Sequence, residues 1–181
     1  MKILVLAGSP HLNGTTAFLA NEFCIGAEET GNEVIRFEIS KLNIHPCTGC
    51  SYCRKNDGKC VFDDDMSQIY PHLLTAEVVV LVTPLYYFGM TAQLKSTIDR
   101  FYCINSILRE YPQKMLLIAA GTNADICVMD ALKAHFSAIC RYLHWKEGGM
   151  VLAVGARTAE DVKSSKYKTM ARNLGKSLCR P

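Results

Sequence analysis

Four stretches of the chain, Lys2–Ala7, Glu77–Thr83, Lys114–Ala120 and Met150–Val154, are nearly continuous runs of apolar residues. Such runs, without polar alternation, are the pattern of strands in a parallel sheet covered on both faces. Glu33–Ile39 instead alternates polar with apolar positions, which suits a strand at the sheet's edge. Between these runs the apolar residues recur at helical spacing. Thr16–Thr30 puts Phe18, Leu19, Phe23 and Ala27 on one face and closes on Gly31 and Asn32, the residues of a helix C-cap. Met66, Ile69, Leu73 and Leu74 form a second stripe ending near Thr75, and one of the aspartates at 63–65 is read as its cap rather than as part of a metal site. Further helices are expected from Thr91 to about Tyr102, from Ile126 to Leu143 and from Ala159 to Leu178. Five strands alternating with helices predict an α/β fold built on a doubly wound parallel sheet. Residues 1–181 show no repeat, no low-complexity tract and no boundary signal, so a single domain is expected.

In such sheets ligands bind beyond the carboxyl ends of the strands, where strand order reverses. Three loops meet that condition: Gly8–Thr16, Thr83–Met90 and Gly121–Ala124. In the first, Gly8, Ser9 and Pro10 stop the strand, and Asn13, Gly14, Thr15 and Thr16 gather hydroxyls and N–H groups at the positive end of a helix. A phosphate suits that place. The patterns G-x-G-x-x-G and G-x-x-x-x-G-K-[ST] are both absent, so the loop fits a monophosphate held by hydroxyls and amides. The alternative is that Thr15 and Thr16 only cap the helix. The second loop places Tyr86, Tyr87 and Phe88 in a row. Three rings cannot all face the core from an extended loop, so either one lies against something flat or a partner, or the rings plug the sheet edge. Gly89 would let backbone come close to a ring.

No Ser, His and Asp set and no H-E-x-x-H stands out, and His45, His72, His135 and His144 are scattered. A protein that orients a redox cofactor needs few acid or base groups, because the cofactor carries the chemistry. The composition, 49% apolar and 20% charged, is that of a globular domain. No window of about 18 consecutive apolar residues offers a membrane span. The six-residue apolar run in MKILVLAGSP is too short for the apolar region of a signal peptide, so a cytoplasmic protein is expected. The net charge of +3 is uneven: Arg157–Pro181 holds seven Lys or Arg against Glu160 and Asp161, a surplus of +5, which leaves −2 for the rest. With only Tyr167 among those lysines, the segment reads as a solvated outer face and not as a nucleic-acid surface.

Residues 41–65, KLNIHPCTGCSYCRKNDGKCVFDDD, lack periodicity, and connections this long are usually functional or disordered. Nine cysteines in a cytosolic chain are not expected to form disulfides. Four of them cluster as Cys47-x2-Cys50-x2-Cys53-x6-Cys60. Zinc sites more often pair two short knuckles a dozen or more residues apart. Three thiols at x2 spacing followed by a fourth look more like compact ligation of an iron–sulfur cluster, although Val61 stands where the usual trailing proline would be. Unliganded thiols, or a redox dithiol such as Cys50 with Cys53, are the other readings.

Three segments together, GSPHLNGTTA, CTGCSYCRKNDGKCVFDDDM and TPLYYFGMTAQLKSTIDR, resemble the NADPH-dependent FMN reductase family and within it look most like iron–sulfur flavoproteins. The likeness spans residues 1 to about 105. It implies a flavodoxin-like three-layer sandwich with a five-stranded sheet of order 2-1-3-4-5. It also implies that Ser9, Thr15 and Thr16, with His11, Asn13 and Gly14 beside them, hold the phosphate of FMN. His11 stands where family members often carry Arg. Pro84, Leu85, Tyr86, Tyr87, Phe88 and Gly89 would line the isoalloxazine ring, with Gly121 opening the third loop. In the iron–sulfur members, cysteines matching Cys47, Cys50, Cys53 and Cys60 bind a [4Fe-4S] cluster. The activity implied is transfer of electrons from NADH or NADPH through FMN to an acceptor the sequence does not identify, with an electron carrier as the alternative. A homodimer or homotetramer is expected, with no nucleic-acid or membrane partner.

Overall fold

The computed structural model describes residues 1–178. Cys179 and Arg180, counted above among the cysteines and in the basic segment, lie outside the described residues. Strands β1 (Lys2–Ala7), β2 (Glu33–Glu38), β3 (Val78–Pro84), β4 (Lys114–Ala120) and β5 (Lys146–Ala153) pair in parallel in the order β2-β1-β3-β4-β5. Leu4 lies opposite Ile35 on one side and Val79 on the other, and the partly exposed β2 is the edge that its alternating sequence implies. Strand side chains alternate between two cores. Ile3, Val5, Val80, Val82, Leu116 and Ile118 face one, and Leu4, Leu6, Val79, Leu81, Met115 and Leu117 face the other.

Helices cover both faces, giving the expected flavodoxin-like three layers. Helices α1 (Thr15–Glu28), α7 (Ala159–Lys163) and α8 (Lys166–Lys176) pack over the first core. The other face carries α3 (Met66–Thr75), α4 (Ala92–Asp99), α5 (Asn105–Glu110) and α6 (Asp130–Leu143). Two glycines let α1 and α8 touch backbone to backbone. A Cβ on Gly26 would stand 2.1 Å from the Arg172 carbonyl oxygen, and one on Gly175 would stand 2.2 Å from that of Phe23. The close crossing brings Lys168 and Arg172 to Glu22, and Arg172 and Lys176 to Glu29. Much of the basic surplus is therefore answered by acids on α1. No helix of the described residues is long and apolar enough to cross a membrane.

Four boundaries differ from the sequence reading. The helix expected from Ile126 opens as a 3₁₀ turn, Ile126–Met129, and becomes α6 only at Asp130, because the Asp125 side chain caps the tighter turn by accepting the Cys127 N–H. Strand β5 begins four residues earlier than expected, because Gly148 and Gly149 interrupt the apolar run without ending the strand. They sit at a shift in register opposite Met115 and Leu116, where a Cβ on Gly148 would meet the Lys114 side chain at 2.5 Å. The last helix is two helices. A Thr158–Asp161 capping box starts α7, and Ser165 caps α8 by accepting the Tyr167 N–H. Beyond α4 the chain turns through a 3₁₀ segment, Arg100–Ile104, before α5, which the sequence reading left unassigned.

Candidate functional site

The three rim loops are stitched to one another by backbone and threonine groups. The Gly8 N–H donates to the Val82 carbonyl at 2.8 Å, and the Thr91 hydroxyl donates to the Gly8 carbonyl at 2.8 Å. Thr91 also caps α4 by accepting from the Leu94 N–H, while its own N–H donates to the Thr83 hydroxyl at 3.0 Å. The Leu85 N–H donates to the Ala120 carbonyl at 2.7 Å, and the Gly121 N–H to that of Ala153 at 2.8 Å. Gly8 has no room for a side chain, since a Cβ would stand 2.6 Å from that of Leu94. Thr83 and Thr91, which the sequence reading did not single out, are thus the pins of the rim. The signal for Thr91 was its place three residues before buried Leu94, the position of a helix N-cap.

In the first loop Ser9 is buried, and its hydroxyl accepts the His11 N–H at 3.1 Å. The Ser40 hydroxyl holds the Ser9 carbonyl at 3.0 Å, and the Gly14 N–H closes the turn on the His11 carbonyl. The N-cap of α1 is Gly14, in extended conformation, and no side chain caps the helix. That rules out the alternative in which Thr15 and Thr16 only cap the helix: both lie inside the first helical turn, where a residue's side chain cannot serve as the N-cap. His11 and Asn13 are exposed beside the uncapped end, Thr15 is half-buried and Thr16 is buried. An uncapped helix start beside a hydroxyl-shaped turn is a site for an anion.

The second loop folds back at once. Tyr86 and Gly89 exchange both backbone hydrogen bonds at 3.0 Å, and the two residues between them have positive φ, 45° at Tyr87 and 63° at Phe88. This is the pattern of a type I′ turn, normally the place of Asn and Gly. Bulky aromatics there are strained. The rings do not plug the sheet edge: Tyr87 is fully exposed and Phe88 is 58% exposed, with Tyr86 half out of the surface. At Gly89 a Cβ would make only an ordinary contact, 3.8 Å from the Tyr86 carbonyl oxygen. Gly121 differs, because a Cβ there would come within 3.2 to 3.3 Å of Met129 and Leu85. Its smallness packs Leu85 into the rim.

Cys47, Cys50, Cys53 and Cys60 line one small cavity together with Phe62, Arg100 and Cys103, all as free thiols. The enclosed space is about 20 Å³, room for little more than a water. Among the described residues no three His, Cys, Asp or Glu side chains converge as a metal-binding group. The four cysteines expected to wrap a cluster therefore face a common pocket without being gathered around a point. The short helix α2 (Tyr52–Lys55) and left-handed residues at Gly49, Ser51, Asp57 and Gly58 shape this loop. The Tyr52 N–H holds the exposed Cys50 thiol below its ordinary range. Cys103 is buried, donates to the Gly58 carbonyl and touches Cys53, and burial pushes its thiol up to about 11.

One buried ion pair anchors the loop. Arg100, 2% exposed, grips both oxygens of Asp64 at 2.6 and 3.1 Å and donates to the His45 carbonyl at 2.8 Å. Asp64 also accepts the N–H groups of His45 and Met66. Burial pushes its carboxyl up, but Arg100 and these N–H groups outweigh that and hold it below its ordinary 3.8. The N-cap position of α3 falls on Asp65, which makes no side-chain cap, so the expected aspartate cap is not formed there; Asp64, one residue earlier, takes the Met66 N–H and the ion pair instead. The Phe62 ring stacks with that of His45 at 4.9 Å and also meets the Arg100 guanidinium at 5.4 Å. Neither Arg100 nor Cys103 carried a spacing signal, because their partners lie about 40 residues away in sequence.

The model of the NADPH-dependent FMN reductase family matches residues 1–156. An iron–sulfur flavoprotein of Methanocaldococcus jannaschii is 39% identical over 100 residues, 55% of this chain and 50% of that protein. The Bacillus subtilis protein YwqN is 25% identical over 185 residues, 96% of each chain. The chain spans about half the length of the iron–sulfur flavoproteins it matches. An NAD(P)H:quinone oxidoreductase from Methanothermobacter marburgensis shares the fold, with a TM-score of 0.78 at 14% identity, covering 100% of this chain and 97% of that one.

Proposed function

We propose that this chain, which belongs to the family of NADPH-dependent FMN reductases, binds FMN at the carboxyl rim of its sheet and serves as an NAD(P)H oxidoreductase. The observation that carries the reading is the uncapped start of α1 at Gly14, set beside the exposed aromatic turn and tied to it through Gly8 and Thr91. Bound there, FMN would supply hydride acceptance from NADH or NADPH and electron release to an acceptor. The chain's own part is binding and orientation. The first amides of α1, with His11, Asn13, Thr15 and Thr16, would take the phosphate, while Ser9 keeps the turn in shape. Pro84, Leu85 and the turn Tyr86–Gly89 would line the flavin ring, with Gly121 letting Leu85 close the floor. The exposed rings at 86–88 also suit a contact between subunits in a homodimer or homotetramer, and we place the protein in the cytoplasm.

A visible spectrum, followed by titration with FMN, tests this. Flavin bands as purified, or quenching of added FMN with NAD(P)H oxidation, are expected. A chain without flavin that also binds none when it is added overturns the reading.

The thiol pocket favours a second reading, that of an iron–sulfur flavoprotein acting as an electron carrier. Cys47, Cys50, Cys53 and Cys60 would hold a [4Fe-4S] cluster, and soft thiolates in a shared pocket fit iron and sulfide in donor chemistry. The loop would have to open, since the present space is far too small. Anaerobic preparation with iron and sulfide analysis separates the two: bound iron without NAD(P)H oxidation supports the carrier.

A further inference from the structure

A cleft of about 600 Å³ opens between α4 and α6 and shares no residue with the proposed flavin site. That volume lies within the range of small-molecule sites. Its walls repeat at helical spacing: Lys95, Ile98, Asp99 and Tyr102 line one side, and His135, Ala138, Ile139 and Tyr142 the other. Seven residues of helix make the cleft about 10 Å long. Its interior is apolar, since Ile98, Phe101 and Leu143 form the buried part of the lining. The charges at its mouth cancel, because Lys95 pairs with Asp99 at 2.6 Å and burial holds the His135 pKa down, in favour of the neutral ring. Beyond Tyr102, Asn105 and Tyr142 the cleft continues into a second one of about 510 Å³ that shares those three residues. Two arginines line this second space, each laid on a shared ring: Arg54 is 5.8 Å from the Tyr102 centroid and Arg109 is 5.2 Å from that of Tyr142. Among the described residues neither arginine is paired with a carboxylate, and the single acid of the lining, Asp57, leaves the space net positive.

We propose that the two clefts form one binding site for an acyl carboxylate, its chain lying between α4 and α6 and its head group held by Arg54 and Arg109. The lining of the first cleft suits a chain: it is uncharged inside, largely aliphatic, and long in the direction of the helices. The second supplies the complementary charge. An arginine without a carboxylate of its own keeps its N–H fork for an anion, and the ring beneath it holds the guanidinium in place. Tyr102 and Tyr142 mark the junction, and the Asn105 amide fixes the second of them by donating to its hydroxyl at 3.2 Å. A hydrocarbon alone would leave the arginines unanswered, and a small anion alone would leave the apolar walls wet. The site therefore selects a molecule that carries both halves.

Isothermal titration of the full chain with octanoate, 1-octanol and acetate provides the test. Octanoate is expected to bind with one equivalent per chain, and 1-octanol and acetate, each lacking one half, about tenfold more weakly or worse. The double variant Arg54→Gln with Arg109→Gln should lose about tenfold in octanoate affinity while its affinity for 1-octanol stays the same. Ala138→Glu, which sets a carboxylate in the wall of the first cleft, should abolish octanoate binding. A wild type that takes up no octanoate, or takes up 1-octanol equally well, overturns the proposal. So does a double variant whose octanoate affinity is unmoved. Circular dichroism checks that the variants fold, and if one does not, the three ligands on the wild type decide alone. FMN titration of the same samples keeps the two sites apart: a chain that binds FMN but no octanoate loses this site and keeps the proposed function.

Discussion

The rim loops and the cysteine loop sit on the same molecule but are ordered by different means. Each rim loop leaves the end of a buried strand, and its backbone continues the hydrogen bonding of the sheet, as the Gly8, Leu85 and Gly121 N–H groups show. Their shape is therefore inherited from the core. The cysteine loop departs from the edge strand β2 and has little ladder to continue. Side chains hold it in place: Asp64 on Arg100, Asp65 on the Asn43 N–H, and the Cys103 thiol on Gly58. A site built on strand ends is pre-formed, while one built on a few long-range side-chain contacts can be opened or reorganised.

Cutting the main anchor of the cysteine loop gives the largest effect. Asp64→Ala leaves Arg100 buried and unpaired, which is expected to cost about 3–5 kcal/mol. Urea unfolding measures that loss, and limited proteolysis after Lys55 and Lys59 should become fast. FMN affinity should stay within about twofold, and an equal collapse of flavin binding would show that the two regions are one unit. Acid does the same more gently. Asp64 has a depressed pKa in the folded chain, so its contribution is full above the ordinary 3.8 and is lost as pH falls through the lower folded value. Loop opening, followed by pepsin cleavage within residues 41–65, should therefore rise below pH 3.8 in the wild type and be nearly flat there in Asp64→Asn.

A smaller effect is expected from the rim. Gly8→Ala forces a Cβ to within 2.6 Å of Leu94 and 2.8 Å of the Thr91 hydroxyl. Overpacking of this kind costs about 1–3 kcal/mol. Because Thr91 holds the Gly8 carbonyl, the push is transmitted to the first loop, and FMN affinity should fall tenfold or more with the cysteine loop unaffected. Isothermal titration of Gly8→Ala with FMN checks the first outcome, and thiol alkylation the second.

The same contrast explains what the sequence revealed. Both cores and the three rim loops follow from apolar runs and turn residues, which are local signals, whereas the sheet order was implied only by the family resemblance. Gly148 hid the start of β5, because a glycine required by a register shift looks like a strand end. Ser165, inside a basic amphipathic stretch, hid the break between α7 and α8. The alternative that Thr15 and Thr16 only cap the helix falls away because Gly14 takes that position by backbone conformation alone. The Asp64–Arg100 pair was invisible because a buried charge is recognised by its partner, and the partner comes only with the fold. Four cysteines announced a pocket by their spacing, yet the fifth, Cys103, joined them through tertiary packing.

The aromatic turn gives the smallest and most informative change, one of opposite sign. Tyr87 and Phe88 are held in left-handed backbone, which disfavours L-residues by roughly 1–2 kcal/mol each. Their rings are mostly out of contact with the chain, so little packing within the fold repays that strain. Replacing them as Tyr87→Asn and Phe88→Gly restores the residues a type I′ turn prefers. The flavin-free protein should therefore become more stable by about 1 kcal/mol in urea, because the strained conformers cost nothing in the unfolded chain. Flavin affinity or self-association should weaken in the same variant, since strain kept at a surface turn persists where the rings serve a ligand or a partner. A variant no more stable than the wild type would mean that the rings already pack within the chain. One more stable with flavin affinity and assembly unchanged would remove this turn from the site.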